Sequence, residues 1–482
     1  MKKAYIIIAA TAMLAAGCQR ENPFNGMELV AEGFGGGTKA AVDGNASYWV
    51  AGELVNINGA EKAVEISGNT AYVTDVEHAD QYRALYPASL NSSYDGSSAS
   101  VTVTIPTAYE WAVDGSGRQV LDVPMAAYGT GSGRLVFKHL TAAITVEITN
   151  YYGFPVLVDN VTVSSSDAGT QYQLCGSKEI TLNSSDISVN AAASNSNNSV
   201  AVNFNDNNLT IAPGETKRVQ VPVLPVGDGN KFSISVAVHK DGDVAVAKTF
   251  TKTQTTGGAM GRAKMAYAGD TVGFTFSVYS AENGSRKVIL SPGNLQSVGG
   301  NWQFAAHQYD YFGAGDAYQY DGHRDLFNED NPTYTIPAGW ELLRPNECND
   351  LLNNRTVTNT LSPDTRYALA SVAGKNGMII FPDNYTHPDG TGLTSETFTT
   401  TGYTSTVTAD GWAKMEAAGC VFLPAAGWRN IDGSWINDYL SGYYRSSHEG
   451  FSLYFWGTGI NPYDTGATSS YWFSIRPIMV VD

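Results

Sequence analysis

Short segments in which apolar and polar residues alternate recur between residues 101 and 278. They are Val101-Thr-Val-Thr-Ile105, Ile144-Thr-Val-Glu-Ile148, Val219-Gln-Val-Pro-Val223, Phe232-Ser-Ile-Ser-Val-Ala-Val238 and Phe274-Thr-Phe-Ser-Val278. A period of two sends alternate side chains to opposite faces of a strand, so each segment has one face to bury. Clusters of Asn, Asp, Gly and Ser between them read as turns, and no amphipathic helix is evident before residue 280. The pattern implies packed β-sandwiches, with the Ala, Ser and Asn stretch Asn190 to Asn198 as a loop inside the second.

At 482 residues the chain is long enough for about three domains. Its hydrophobic fraction of 43% supplies real cores, while charged residues are only 16%, with hydroxyl and amide side chains and 27 Tyr in their place. A net charge of −17 argues against nucleic acid, whose phosphates are neutralised by Lys and Arg. Four cysteines make no disulfide framework for this length, and none is in a CxxC spacing. Cys348 and Cys420 fall in one region and leave open either a single bridge or two separate buried thiols.

The N-terminus has a basic start, Met1-Lys2-Lys3, an apolar stretch from Ala4 to Leu14, and small residues Ala15-Ala16-Gly17 before Cys18. The apolar run is too short to span a bilayer. It resembles a bacterial lipoprotein signal, departing from the usual lipobox in carrying Ala15 where Leu is common. That resemblance implies removal of residues 1–17, lipidation at Cys18 and a stable acyl anchor in the outer membrane, on the cell surface. The Gly-rich stretch 18–39 reads as a tether.

Trp49-Val-Ala-Gly-Glu-Leu-Val-Asn-Ile57, Tyr82-Arg-Ala-Leu-Tyr-Pro87, Val123-Pro-Met-Ala-Ala127 and Leu135-Val-Phe-Lys-His-Leu-Thr-Ala-Ala-Ile-Thr-Val146 follow in an order and spacing that resemble the fimbrillin family of lipoprotein pilus subunits. The resemblance implies two transthyretin-like β-sandwiches, at 40–152 and 153–280. It also implies partners: other fimbrial subunits joined by donor-strand exchange, after an Arg- or Lys-specific protease has removed a first strand. Arg20 and Lys39 are the basic residues available before the first motif, and Lys39 is the expected processing site.

Beyond Ser280 the chain changes character: seven of its nine Trp lie there, and two short helices become credible. Pro345 and Glu347 open one, with Cys348, Leu351 and Leu352 on a common face. Thr408 caps the other, which turns Trp412 and Met415 inward and ends at Gly419. A domain boundary near Glu282-Asn-Gly-Ser285 follows, as an exposed and cleavable link. The blocks Val288-Ile-Leu-Ser-Pro-Gly-Asn-Leu-Gln296, Trp302-Gln-Phe-Ala305, Gly339-Trp-Glu-Leu-Leu-Arg-Pro-Asn-Glu347, Gly377-Met-Ile-Ile-Phe-Pro-Asp383, Val421-Phe-Leu-Pro-Ala-Ala-Gly427 and Ser474-Ile-Arg476 resemble the FISUMP-type major paralogous domain. That implies an α+β, C-type-lectin-like domain over 285–482, related to the formylglycine-generating enzyme. The fold class is therefore mainly β, with two sandwiches followed by this domain.

The motifs of catalysis are weak. His323-Arg-Asp325 lacks every companion of a kinase loop, and no His stands in a metal-ligand spacing. Cys348 and Cys420 are not placed as a reactive pair. Glu416, Asp389 and Asp432 could form a glycosidase pair only at a fixed separation. Trp435-Ile-Asn-Asp438 approaches the Trp-Asn-Asp calcium motif of C-type lectins, but the inserted Ile436 shifts its ligands, and a turn is the competing reading. No cofactor, metal site or enzymatic activity is expected. The aromatic enrichment from Trp435 to Trp472 exceeds what a small core holds, and Trp435, Tyr444 and Trp456 are the residues expected to form an exposed binding ring. The expectation is an adhesin: a tip or accessory lipoprotein of a fimbrium, with a host or bacterial surface glycan or protein as ligand. The alternatives are a glycan-binding lipoprotein outside any pilus and a lectin-fold enzyme.

Overall fold

The computed structural model describes residues 26–32, 49–113, 119–131, 133–165, 173–183, 187–192, 198–205, 209–226, 229–254, 260, 265–298, 301–311, 336–430, 435–436, 439–448, 450–467 and 471–481. Cys18, Arg20, Lys39 and His323-Arg-Asp325 lie outside them. The protein is mainly β; among the described residues there are two short α-helices, with a 3-10 turn at Ala88–Asn91 and a π turn at Asp350–Asn354, and no helix is long and apolar enough to cross a membrane.

The first unit is an eight-stranded sheet in the order Ala60–Ala63, Leu54–Ile57, Tyr82–Tyr86, Met125–Gly129, Arg134–His139, Gly26–Ala31, Thr70–Thr74, Glu65–Ser67. Its core gathers Met27, Leu29, Val55, Tyr86 and Phe137 around Trp49, whose ring meets Tyr86 and Phe137 edge-on at 5.0 and 5.2 Å. The expected tether is thus shorter than 18–39. Gly26–Ala31 is an interior strand, parallel to Arg134–His139 and antiparallel to Thr70–Thr74. Met27, Leu29 and Ala31 alternate into the core, a period-2 signal flanked by glycines.

Tyr86 sets a pH dependence in this unit. Its hydroxyl lies 2.7 Å from Glu53 Oε1 and 3.2 Å from Asp122 Oδ1, and Glu53 Oε2 accepts the Val50 N–H at 2.9 Å. One hydroxyl proton cannot serve two carboxylates. A protonated Glu53 donating to Tyr86 lets Tyr86 donate to Asp122, so the neutral acid completes the chain. Burial, only partly offset by the hydrogen bonds from Val50 and Tyr86, pushes the Glu53 carboxyl from 4.5 up to about 7. The folded state then holds this proton more tightly than the unfolded chain. The associated stability is complete below about pH 4.5 and is lost as pH rises through 7. The melting temperature should therefore fall between pH 5 and 7.5 in the native chain. The fall should be shallower in Glu53→Gln, and equal slopes would dismiss the proton chain.

The second unit does not respect the 152/153 boundary. Ala142–Tyr151 is central in a sheet between Thr216–Val223 and Met265–Gly273, and its residues from Ala142 to Val146 are all buried. The opposing sheet runs Asp243–Thr253, Phe232–Lys240, Val156–Ser165, Ser199–Asn203, Ala108–Glu110. Ser100–Ile105 pairs with Gly176–Thr181, so a segment assigned to the first unit completes the second. A strand buried on both faces needs cover from each side, and the 100–110 segment contributes Val101, Val103 and Ile105 to that core.

The third unit begins earlier than 285. Phe276–Ser280 and Gly284–Leu290 form a hairpin closed by Ile478–Val480, so Glu282 is in a hairpin turn and not in a link between domains. Arg286 is held by Glu341 and Glu347. Phe274 packs on the second core and Phe276 on the third, which puts the boundary between them. Helix α1, Pro345–Asn349, opens as expected, with Glu347 Oε2 accepting the Arg344 N–H at 2.9 Å and Cys348, Leu351 and Leu352 buried. Helix α2, Ala409–Ala417, is capped by Thr408 Oγ1, which accepts the Gly411 N–H at 3.1 Å.

The last two units share a buried boundary rather than a link. Trp412 and Met415 of α2 enter the third unit's core, while Ala413 and Ala417 enter the second's. Two glycines allow the approach: a Cβ on Gly153 would lie 1.8 Å from the Leu290 carbonyl oxygen, and one on Gly419 (φ +88°) 2.5 Å from the Phe274 ring. Lys240 Nζ donates to Glu416 Oε1 at 2.8 Å across this boundary, with side chains only 9% and 5% exposed. Gln308 Nε2 donates to the same oxygen at 3.0 Å, and the Tyr152 hydroxyl donates to the Ala417 carbonyl.

Candidate ligand-binding face

The three strands Ser441–Arg445, Gly450–Trp456 and Gly459–Ala467 form an antiparallel meander in the third unit. Alternation divides its side chains. Tyr444, Leu453 and Phe455 point into the core. Tyr444 is 3% exposed, and its hydroxyl donates to the Pro424 carbonyl at 3.0 Å and accepts from Asn294 Nδ2 at 3.3 Å. It therefore does not belong to an exposed ring. In Tyr443-Tyr444 one ring must face inward, and strand parity selects Tyr444.

The other face carries Tyr443, Tyr454 and Trp456, all half-buried. Tyr443 pairs with Tyr454 across the strands and their rings stack at 4.2 Å. Trp456 stacks on Tyr454 at 4.8 Å, and Phe473 on Tyr443 at 5.1 Å. The four rings lie within about 22° of parallel to their neighbours, a continuous row ordered Phe473, Tyr443, Tyr454, Trp456. The Arg445 guanidinium lies over Phe473, 4.8 Å from its centroid.

Polar groups run alongside. Register sets Ser452 opposite Asp464, Tyr454 opposite Asn461 and Trp456 opposite Gly459. Asp464 accepts from Ser452 Oγ at 3.2 Å and from Asn461 Nδ2 at 3.3 Å. Flat apolar rings beside an amide and a carboxylate suit a ligand with an apolar face and hydrogen-bonding edges.

Of the three residues expected in the ring, Trp456 lies on this face and Tyr444 beneath it. Trp435 lies in the strand Trp435–Ile436, paired with Trp428–Asn430; its side chain, like Asn437 and Asp438 of the calcium-like motif, lies outside the described residues. Tyr443 and Tyr454 belong to the aromatic excess read from sequence without being assigned to the ring, and Asn461 and Asp464 carry no expectation from it. Tyr454-Phe-Trp456 does carry the period-2 spacing that reveals the aromatic face once the strand is known.

Of the candidate chemical groups elsewhere, Glu416 and His387 have hydrogen-bond partners, and Cys348 and Cys420 are buried. Glu416 is engaged by Lys240 and Gln308, Asp389 is exposed, and Asp432 lies outside the described residues. Cys348 and Cys420 are separate buried thiols, and burial raises both, Cys348 to about 12. His387 receives the Tyr385 hydroxyl at Nδ1 (2.7 Å) and donates from Nε2 to the Leu393 carbonyl (2.8 Å), so both ring nitrogens are engaged. Among the described residues no cluster of three or more His, Cys, Asp or Glu could hold a metal ion.

No family model matches the chain, and no curated protein matches it. Solved structures overlap about half of it at low identity. A candidate cell adhesion protein of Bacteroides uniformis is 12% identical, covering 54% of this chain and 95% of its own at a TM-score of 0.29. A fimbrial protein of Bacteroides vulgatus is 10% identical, covering 51% and 95% at 0.26. A fimbrial assembly protein of Parabacteroides distasonis is 11% identical, covering 47% and 98% at 0.16. At such TM-scores the overlap fixes neither fold nor function.

Proposed function

We propose that the chain is a surface adhesin, anchored through lipid at Cys18, whose third unit binds a glycan on the aromatic face and works by binding without turnover. The observation that carries this is the row Tyr443–Tyr454–Trp456 beside Asn461 and Asp464. In a fimbrial assembly it takes a tip or accessory position. Ile478–Val480 closes the third unit's sheet, and Ile478 is fully buried, so withdrawing this strand to donate it would open a core at a cost of several kcal/mol. Acceptance of a neighbour's strand remains open at the other end of the chain, where Gly26–Ala31 lies between two partners.

A glycan array probed with the chain from Gln19 onward, at full length, tests the reading. Trp456→Ala should weaken the strongest interaction about tenfold or more while leaving the melting temperature within a few degrees. Absence of binding to every glycan would remove the adhesin reading, and release of product from a bound glycan would favour an enzyme instead. Binding by a chain that never co-purifies with fimbriae would favour a glycan-binding lipoprotein outside any pilus.

A further inference from the structure

In the first two units a strand near the N-terminal side of the chain is hydrogen-bonded, in parallel, to the strand by which the chain leaves. In the first unit Gly26–Ala31 lies beside Arg134–His139, in register from Glu28 opposite Arg134 to Ala31 opposite Phe137. The Glu28 N–H donates to the Gly133 carbonyl at 3.1 Å and the Glu32 N–H to the Phe137 carbonyl at 2.7 Å. Only Leu140 and Thr141 separate Arg134–His139 from Ala142–Tyr151 of the second unit. That strand pairs with Met265–Gly273 over nine positions, from Ala143 opposite Met265 to Tyr151 opposite Gly273. The Phe274 N–H, which donates to the Tyr151 carbonyl at 3.3 Å, continues the joint to the boundary with the third unit. The chain also crosses between the first two units at 87–99 and 111–124, but those stretches are longer, so Leu140-Thr141 draws taut first.

Tension between an anchor before Gly26 and a ligand on the third unit pulls the earlier strand of each pair by its N-terminal end and the later one by its C-terminal end. In a parallel pair these are opposite ends, so the strands are drawn past one another and the bonds of the joint share the load. In an antiparallel pair the two ends would coincide and the bonds would open one at a time. Resting on the proposed reading of an N-terminal anchor and a binding third unit, we infer that the first two units form a tension-resisting stalk, two shear joints in series. The joint of four pairs yields before the joint of nine, so the first unit opens first and lengthens the stalk while the third stays attached.

Single-molecule stretching of the chain from Gln19 tests this. One handle is placed at Glu282→Cys, an exposed position in the hairpin turn just past the boundary, the native thiols at Cys175, Cys348 and Cys420 being buried. The other is placed either at the N-terminus or at Lys39→Cys. From the N-terminus the first joint is sheared. From Lys39 the load meets Gly26–Ala31 only at its C-terminal end, beside the C-terminal end of Arg134–His139, so the same bonds are peeled. Both chains should melt alike, yet the first rupture force should be about twofold or more higher from the N-terminus, since forced unfolding follows the barrier along the loaded path. The first step from the N-terminus should release roughly 200–250 Å, the stretch from Gly26 to Ser100, where the second unit takes hold. Equal rupture forces from the two positions overturn the inference, and so does a first step from any other part of the chain. The adhesin reading stands or falls separately on the glycan array: a chain that resists in this way but binds no glycan keeps the joints and loses the ligand.

Discussion

Glu416→Ala is expected to destabilise the protein by about 3–5 kcal/mol, because it leaves the Lys240 ammonium buried without a counter-charge. Lys240 also sits 4.9 Å from the Phe154 ring centroid, in surroundings that offer an ammonium little else. Gln308 would lose the acceptor of one amide proton at the same time, although its Oε1 would still accept the Phe422 N–H at 2.9 Å. At roughly 2–4 °C per kcal/mol for units of 150–250 residues, the melting temperature should drop by about 10 °C. Calorimetry should also show what the pair joins. With helix α2 contributing Ala413 and Ala417 to one core and Trp412 and Met415 to the other, the second and third units should melt together in the native chain. They should separate into two transitions in Glu416→Ala. The paired replacement Lys240→Met with Glu416→Leu should recover most of the loss, since a packed apolar pair avoids the desolvation that the ion pair only balances. Two resolved transitions in the native chain would restore the independent third domain that the aromatic-rich composition suggests.

How far the sequence could be read divides along the range of the interaction. Alternation is local, and the segments starting at Val101, Ile144, Val219 and Phe232 are strands, extended by a few residues at their ends. Capping is local too, and Thr408, Glu347 and Gly419 act as their types demand. Pairing is not local. Nothing near Ser100–Ile105 announces that its partner is Gly176–Thr181, across the expected boundary between sandwiches. Nor does either sequence neighbourhood announce that Lys240 meets Glu416, and a contiguous division into domains therefore misplaced both inner boundaries. At Tyr444 the expected exposed ring failed on strand parity. Tyr443 and Tyr444 are indistinguishable in composition, and a shift of one residue exchanges core for surface. Trp456 was legible because a Trp at a strand end exceeded what the core could hold. Asn461 and Asp464 gained meaning only from the register that sets their strand beside the rings.

Removal of the first strand should have the other large effect. If the cut expected after Lys39 occurs, Gly26–Ala31 is held only by its pairing and by Met27, Leu29 and Ala31 in the core. Burial of Met and Leu side chains contributes about 1.5–3 kcal/mol each, so loss of the strand should cost the first unit roughly 5 kcal/mol. It should also open a slot between Arg134–His139 and Thr70–Thr74, lined by Leu135, Phe137 and Val73. A chain cut with a Lys-specific protease and separated from its N-terminal peptide should melt its first unit well below the uncut chain. Adding a peptide of residues 24–33 should restore it, whereas the same peptide with Leu29→Asp should not, because the charge would enter the apolar slot. The slot also has a direction: an incoming strand must run parallel to Arg134–His139 and antiparallel to Thr70–Thr74. A peptide of residues 470–482 from this chain should leave the melting unchanged, as expected of a subunit that accepts a strand and keeps its own. Rescue by that C-terminal peptide would make the chain a self-polymerising shaft subunit, and a cut chain that melts like the uncut one would show that Gly26–Ala31 is ornamental to the sheet and opens no acceptor site.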